Sequence, residues 1–216
     1  MPSLSERRPA QHRTAGLILA AGASRRLGRP KQLLPYGEGV LLDAVLATAR
    51  DCGFDQTVLA LGGAAADVQR AVDTTGCEIA LTPDFGAGCA ASIAAGIAAL
   101  RPDTDAVVLL LGDQPEVRAA TARALLGHLF ASGAAAGPDA PGIAVCRYDD
   151  GIGHPLAFTR RMFPELAALH GDKAVWRLLE QRADDVVELP VPGTVPLDVD
   201  TDEDYRRVLA ALEGAQ

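Results

Sequence analysis

The chain has 216 residues, 49% hydrophobic and 22% charged, with a formal net charge of −8. That length suits one α/β domain able to bury a full core, and no run of Lys and Arg offsets the acidic balance, which argues against a nucleic-acid-binding surface. The apolar runs are too short to span a bilayer. The four cysteines, Cys52, Cys77, Cys89 and Cys146, are isolated in sequence, as expected for reduced, buried thiols of a cytoplasmic protein rather than a disulfide framework.

Residues 1–13 are polar and read as a disordered tail, and one domain is expected over 14–216. The apolar run from Leu17 to Ala21 predicts a buried strand. It opens into a loop of small and cationic residues that includes Gly22, Ser24, Arg25, Arg26, Gly28, Arg29 and Lys31. Gly22 and Gly28 can bring backbone N–H groups close to an anion, and Arg26 and Lys31 can give charge-assisted bonds to phosphate oxygens. Neither a P-loop nor a dinucleotide fingerprint is present.

Further along, apolar residues at helical spacing predict helices over 40–52 and 64–73, with strands over 56–61 and 77–81 between and after them. A turn-rich stretch at 82–88 precedes a small-residue helix over 89–100. Residues 105–111, with Val107-Val108-Leu109-Leu110-Leu111 at their centre, read as a central parallel strand buried on both faces. A helix over 121–130, a Gly/Ala/Pro surface loop over 134–141 and a strand over 142–147 come next, then a hairpin-like turn at 148–152. Helices over 162–169 and 173–181, short strands over 186–189 and 195–199, and a closing helix over 202–212 complete the chain. Strand–helix alternation predicts a three-layer α/β/α, Rossmann-like architecture around a mostly parallel sheet. In such sheets ligands bind beyond the carboxyl ends of the strands, which places the Gly22 loop, Gly62-Gly63, the Gly86 loop and Asp113 along one edge.

Two acidic positions suit a hard cation. Asp113 follows the most apolar strand, in Gly112-Asp113-Gln114-Pro115, where a carboxylate at the open edge can hold Mg²⁺ on triphosphate oxygens. Asp198 and Asp200 are two apart in an expected strand and so face one way, with Asp198 the first choice as a second ligand and Asp200 the next. Thr201, with Asp204 three residues later, reads equally as a helix cap.

Leu19-Ala20-Ala21-Gly22-Ala23-Ser24-Arg25-Arg26-Leu27-Gly28-Arg29-Pro30-Lys31 resembles the signature of nucleotidyltransferases with a sugar-nucleotide pyrophosphorylase-like (GT-A-like) fold, and with Ala21 and Ser24 it is most similar to the molybdenum cofactor cytidylyltransferase branch. Gly112-Asp113-Gln114-Pro115 and the stretch from Asp198 to Asp204 resemble the family's metal-binding and terminal motifs. Gly88 and Ser92 lie in a segment similar to its nucleobase element, and Gly153-His154-Pro155 resembles its acceptor-side Gly-His-Pro. Gly171-Asp172-Lys173 departs from a further family element, because Ala174 stands where a glycine is usual.

The resemblance implies a Mg²⁺-dependent transfer of a nucleoside monophosphate, CMP from CTP, to a phosphorylated acceptor, molybdopterin cofactor, with release of pyrophosphate. It implies nucleotide contacts at Leu19, Ala20, Ala21, Gly22, Ser24, Arg26, Lys31, Gly88 and Ser92, catalytic roles for Arg26, Lys31 and Asp113, and acceptor contacts at Gly153, His154 and Pro155. It also implies a molybdoenzyme or its maturation factor as a protein partner. Transfer of another nucleotide to a phospho-sugar or phospholactate, a non-catalytic nucleotide-binding partner and a doubly wound oxidoreductase remain the alternatives.

Overall fold

A computed structural model describes residues 12–22, 24, 26–82, 89–136, 140–171 and 173–214. Its centre is a seven-stranded sheet in the order β5-β4-β1-β6-β8-β7-β9. The strands are β1 (Thr14–Ala20), β4 (Gln56–Leu61), β5 (Cys77–Leu81), β6 (Ala106–Leu111), β7 (Ile143–Tyr148), β8 (Gly151–Thr159) and β9 (Val186–Pro190). A two-stranded ribbon, β2 (Pro35–Tyr36) and β3 (Gly39–Val40), stands apart. The pairs β1–β4, β1–β6, β4–β5 and β7–β9 are parallel, within this sheet β8 alone runs against its neighbours, and the β2–β3 ribbon is antiparallel.

Alternation along each strand sends side chains into two separate cores, which makes the sheet the middle of three layers. Ile18, Leu59, Leu61, Val108 and Leu110 meet Leu42, Val45 and Leu46 of α1 (Leu41–Cys52), Val68 of α2 (Ala65–Ala71) and Leu125 of α4 (Ala119–Ala136). On the other face Leu17, Val58, Val107 and Leu109 meet Ile93 of α3 (Cys89–Ala98), Leu166 of α5 (Phe163–Ala167) and Leu178 of α6 (Ala174–Gln181). Residues 106–110 of β6 are therefore buried on both faces, as the unbroken apolar run demands. The small residues of α3 let it approach closely: a Cβ at Gly96 would meet Leu17 Cδ1 at 2.3 Å.

A third, smaller core packs Leu34, Leu41 and Val199 against Val208 of α7 (Asp202–Gly214), and the Tyr205 hydroxyl donates to the Pro35 carbonyl at 2.6 Å. The last helix is thereby fixed beside the first loop.

Several boundaries differ from expectation. The hairpin-like turn expected at 148–152 is present, closed where Tyr148 pairs with Gly151, and residues 151–159, for which no strand is expected, form the nine-residue β8 by pairing with β6 and β7. Residues 195–199 show strand-like alternation but join no ladder, so no pleat places Asp198 and Asp200 on one face. Helix α4 continues to residue 136, into the stretch expected as a loop. In the expected N-terminal tail, His12 stacks on Phe130 with ring centroids 3.9 Å apart, and Arg13 N–H donates to Asp105 at 2.9 Å. Gly86, Gly88 and Asp172 lie outside the described residues.

Candidate active site

The carboxyl ends of the neighbouring parallel strands β4, β1 and β6 carry Gly62-Gly63, the Ala21–Lys31 loop and Asp113, so one edge gathers these segments as the strand order requires. The ends of β1 and β6 touch: Gly112 N–H donates to the Leu19 carbonyl at 3.0 Å, and a Cβ on Gly112 would lie 2.8 Å from that of Ala20.

The signature loop is braced from inside. Ser24 and Gly28 hold φ of 49° and 64°, and Leu27 and Gly28 N–H groups both donate to the Ser24 carbonyl. The Ser24 hydroxyl accepts Lys31 N–H at 3.0 Å, so the turn closes on itself. Gly22 does not use the positive φ open to it. Gln32, 1% exposed, donates its amide to the carbonyls of Ala20, at 2.6 Å, and Gly22, at 3.3 Å. Sequence reasoning missed this brace, because a glutamine behind a motif carries no signal of its own.

The loop's cations meet the acidic positions. Lys31 Nζ donates to Asp113 Oδ2 and, at 2.8 Å, to Asp200 Oδ1. Asp200 Oδ2 accepts from Arg26 at 2.6 Å. Burial alone would pull the Lys31 ammonium down, but the two carboxylates outweigh it and hold its pKa above the ordinary value. Burial pushes Asp113 up, opposed by Lys31; with two acceptors around one donor, the arrangement is an ammonium between carboxylates. Partial burial pushes Asp200 up, but hydrogen bonds and charge from Lys31 and Arg26 outweigh it and hold it low. Asp198 reaches solvent as a residue, yet its carboxyl is pushed up to about 6 by desolvation and then by Asp113.

Asp198 is held differently from Asp200: its Oδ1 accepts the Gln114 amide at 2.6 Å. The helix-cap reading of the terminal motif holds. Thr201 Oγ1 donates to Asp204 Oδ2 at 2.7 Å and accepts Asp204 N–H at 3.2 Å.

A cation fits this donor set. Three carboxylates converge on the edge, and Lys31 Nζ stands between two of them as a positive charge. Among the described residues no three His, Cys, Asp or Glu groups come close enough to form a closed metal cage. A divalent cation held by one or two carboxylates, with its remaining positions left to water and phosphate, does not need such a cage.

Beside the loop a cavity of about 340 Å³ is lined by Gly22, Ser24, Gly28, Arg29, Gly63 and Asp67, among others. It lies between the signature loop and the start of α2, and neither Lys31 nor Asp113 is among its lining residues. Ser92 is buried on α3, whose close packing on the sheet accounts for its small residues without a ligand.

Gly153, His154 and Pro155, the residues expected at the acceptor side, sit on β8. Its antiparallel register, Leu109↔Leu156, carries 153–155 to the Asp113 end of β6. A Cβ on Gly153 would lie 2.6 Å from Val195 Cγ1, so the strand passes tightly under the segment leading to Asp198. His154 is 9% exposed and pushed down to about 4 by burial, which keeps its imidazole neutral near pH 7. Its ring meets Trp176 edge-on at 5.8 Å, and its carbonyl accepts the Tyr148 hydroxyl at 2.8 Å.

A mostly parallel α/β sheet with a glycine loop, two cations and carboxylates at its carboxyl edge defines the nucleotidyltransferase fold. The structure superposes with a TM-score of 0.76 on a nucleotidyl transferase from Methanothermobacter, at 22% identity over 95% of this chain and 100% of the other. Residues 16–186 match the family described as the MobA-like NTP transferase domain, and the chain belongs to that family. A nicotine blue oxidoreductase of Paenarthrobacter nicotinovorans is 32% identical over 90% of this chain and 95% of its own length. The crystal structure of Rv0371c from Mycobacterium tuberculosis is 48% identical, with a TM-score of 0.84 over 92% of this chain and 98% of the other, and a manganese complex of Rv0371c superposes with a TM-score of 0.79.

Proposed function

We propose that the protein transfers a nucleoside monophosphate, CMP from CTP, to a phosphorylated acceptor, molybdopterin cofactor, and releases pyrophosphate. The observation that carries this reading is the Arg26–Asp200–Lys31–Asp113 chain of charges at the sheet edge, directly behind the signature loop. A triphosphate needs cations at its oxygens and a carboxylate-held metal beside them, and both are within one side chain's reach of each other here.

An oxygen of the acceptor phosphate attacks the α-phosphorus in line. The new O–P bond forms as the bond to the β-phosphate oxygen breaks, and pyrophosphate leaves with that electron pair. A phosphomonoester is already nucleophilic near neutral pH, so no general base is needed, and neutral His154 is free to orient the acceptor. Arg26 and Lys31 stabilise charge growing on the departing phosphates. Asp113 and Asp198, with Asp200 as the alternative to Asp198, would hold Mg²⁺, which would supply charge neutralisation and a template for the triphosphate oxygens. The cavity beside the loop is large enough to take part of a nucleotide.

The test is pyrophosphate release with each of the four NTPs and Mg²⁺, with and without molybdopterin cofactor. Release with CTP only when the cofactor is present is the expected result. Nucleotide binding without pyrophosphate under any condition would replace catalysis with a binding role.

A further inference from the structure

We infer that Gln114 is a positioning residue whose side-chain amide holds Asp198 in the orientation from which that carboxylate serves the cation site. The inference rests on the metal reading given above and assigns a role to a residue within the Gly112–Pro115 turn that the reading does not use.

Residues 195–199 join no β-ladder, so they lack the usual means of fixing a backbone at a sheet edge. Their fixed points are few: Val195 N–H donates to Asp150 at 2.8 Å, Val199 N–H donates to the Asp113 carbonyl at 3.3 Å, and Val199 is buried in the third core. Between them stands Gln114. Its Nε2 donates to the Pro196 carbonyl at 2.9 Å and to Asp198 Oδ1 at 2.6 Å, so both amide protons are spent on this segment. The adjacent residue is Asp113. One turn thus carries one carboxylate and clamps another that lies 84 positions away in sequence.

The rest of the amide shows that the clamp has a cost. Gln114 is 3% exposed, and its Oε1 is buried without a hydrogen-bond partner. Such an orphan acceptor disfavours the fold, commonly by about 1–3 kcal/mol. Turning the amide over would set Oε1 against two acceptors, Pro196 O and Asp198 Oδ1, and leave the donors unused. The orientation is therefore set by what it holds. With Oδ1 occupied, Asp198 is left one oxygen, Oδ2, that the amide does not engage. Gln32 offers an internal contrast: it too is buried, donates twice and leaves Oε1 unpartnered, but it clamps only carbonyls of the signature loop.

Loss of such a support costs a metal site about 10- to 100-fold in affinity. The experiment titrates Mn²⁺ alone into the full chain and follows free Mn²⁺ by electron paramagnetic resonance, with wild type, Gln114→Met, Asp198→Asn and the double variant, each checked for folding by circular dichroism. Gln114→Met should weaken Mn²⁺ binding about tenfold, and should add nothing once Asp198 is already Asn, because it acts through that residue. Binding within twofold of wild type in Gln114→Met, or independent losses in the double variant, would overturn the role. Failure of wild type to bind Mn²⁺ would overturn the metal reading itself and this role with it. Should Gln114→Met not fold, the assigned side-chain amide signal of Gln114 in ¹⁵N-labelled wild type decides. A Mg²⁺-induced shift larger than that of Gln32 supports the clamp, and an equal or smaller one overturns it.

Discussion

The two halves of the sheet handle charge in opposite ways. At the end of the parallel half, Lys31 donates to both Asp113 and Asp200, Arg26 donates to Asp200, and Lys31 is held charged in spite of burial. In the antiparallel half, His154 is buried beside Trp176 and stripped of its charge. The first arrangement suits a polyanion that replaces one set of partners with another. The second suits a surface that orients a ligand without taking or giving a proton.

Removing a charge from the parallel half should have the largest effect. Asp113→Ala deletes an acceptor of Lys31 and the proposed ligand for the cation. Pyrophosphate release should fall by about three orders of magnitude, on the order of 4 kcal/mol, with the far-ultraviolet spectrum unchanged. Near-normal turnover would remove Asp113 from the site. Arg26 is more exposed and its Asp200 contact contributes little to folding. Arg26→Ala should therefore spare stability yet cost about 100-fold in turnover, as for a lost donor to developing charge; a loss below twofold in steady-state rate would show that Arg26 does not meet the transition state.

The effect expected at the neutral corner is of another kind and is read in stability, not in turnover. The folded pKa of His154, about 4, lies below its ordinary value of 6.5. Between those values the unfolded chain binds more protons than the folded one, so stability is full above pH 6.5 and declines as pH falls toward 4. The decline attributable to this residue is roughly 3 kcal/mol. Urea midpoints from pH 7 to 4 should fall less steeply in His154→Gln than in wild type, and parallel slopes would mean that another group is responsible.

Legibility in the sequence divides along the same line. In the parallel half, runs such as 58–61 and 106–111 are apolar throughout because both faces are covered, and Gly62 and Gly112 mark where these two strands end. The loops that follow were therefore placed on the correct edge by chain order alone. In the antiparallel half, β8 carries Gly151, Gly153 and Pro155, residue types that are depleted in strands, so nothing beyond the hairpin turn at 148–152 is legible there. Only its neighbours β6 and β7 make a strand of them. At 195–199 the expectation fails, because Val195, Leu197 and Val199 alternate as in a strand but join no ladder. Those side chains instead serve close contacts with Gly153 and the third core. Gln32 and Gln114 left no trace in pattern or period, although Gln114 sits inside a motif singled out for its aspartate.

The sequence by itself determined the three-layer class, the signature loop and the chemical types at the edge: glycines, two cations and carboxylates. Those follow from periodicity and residue chemistry, which are local properties of the chain. The tertiary structure decided which of these groups meet. It joined Lys31 to both Asp113 and Asp200, gave Asp198 to Gln114 and neutralised His154, because hydrogen-bond partners and desolvation depend on residues brought together from distant parts of the chain.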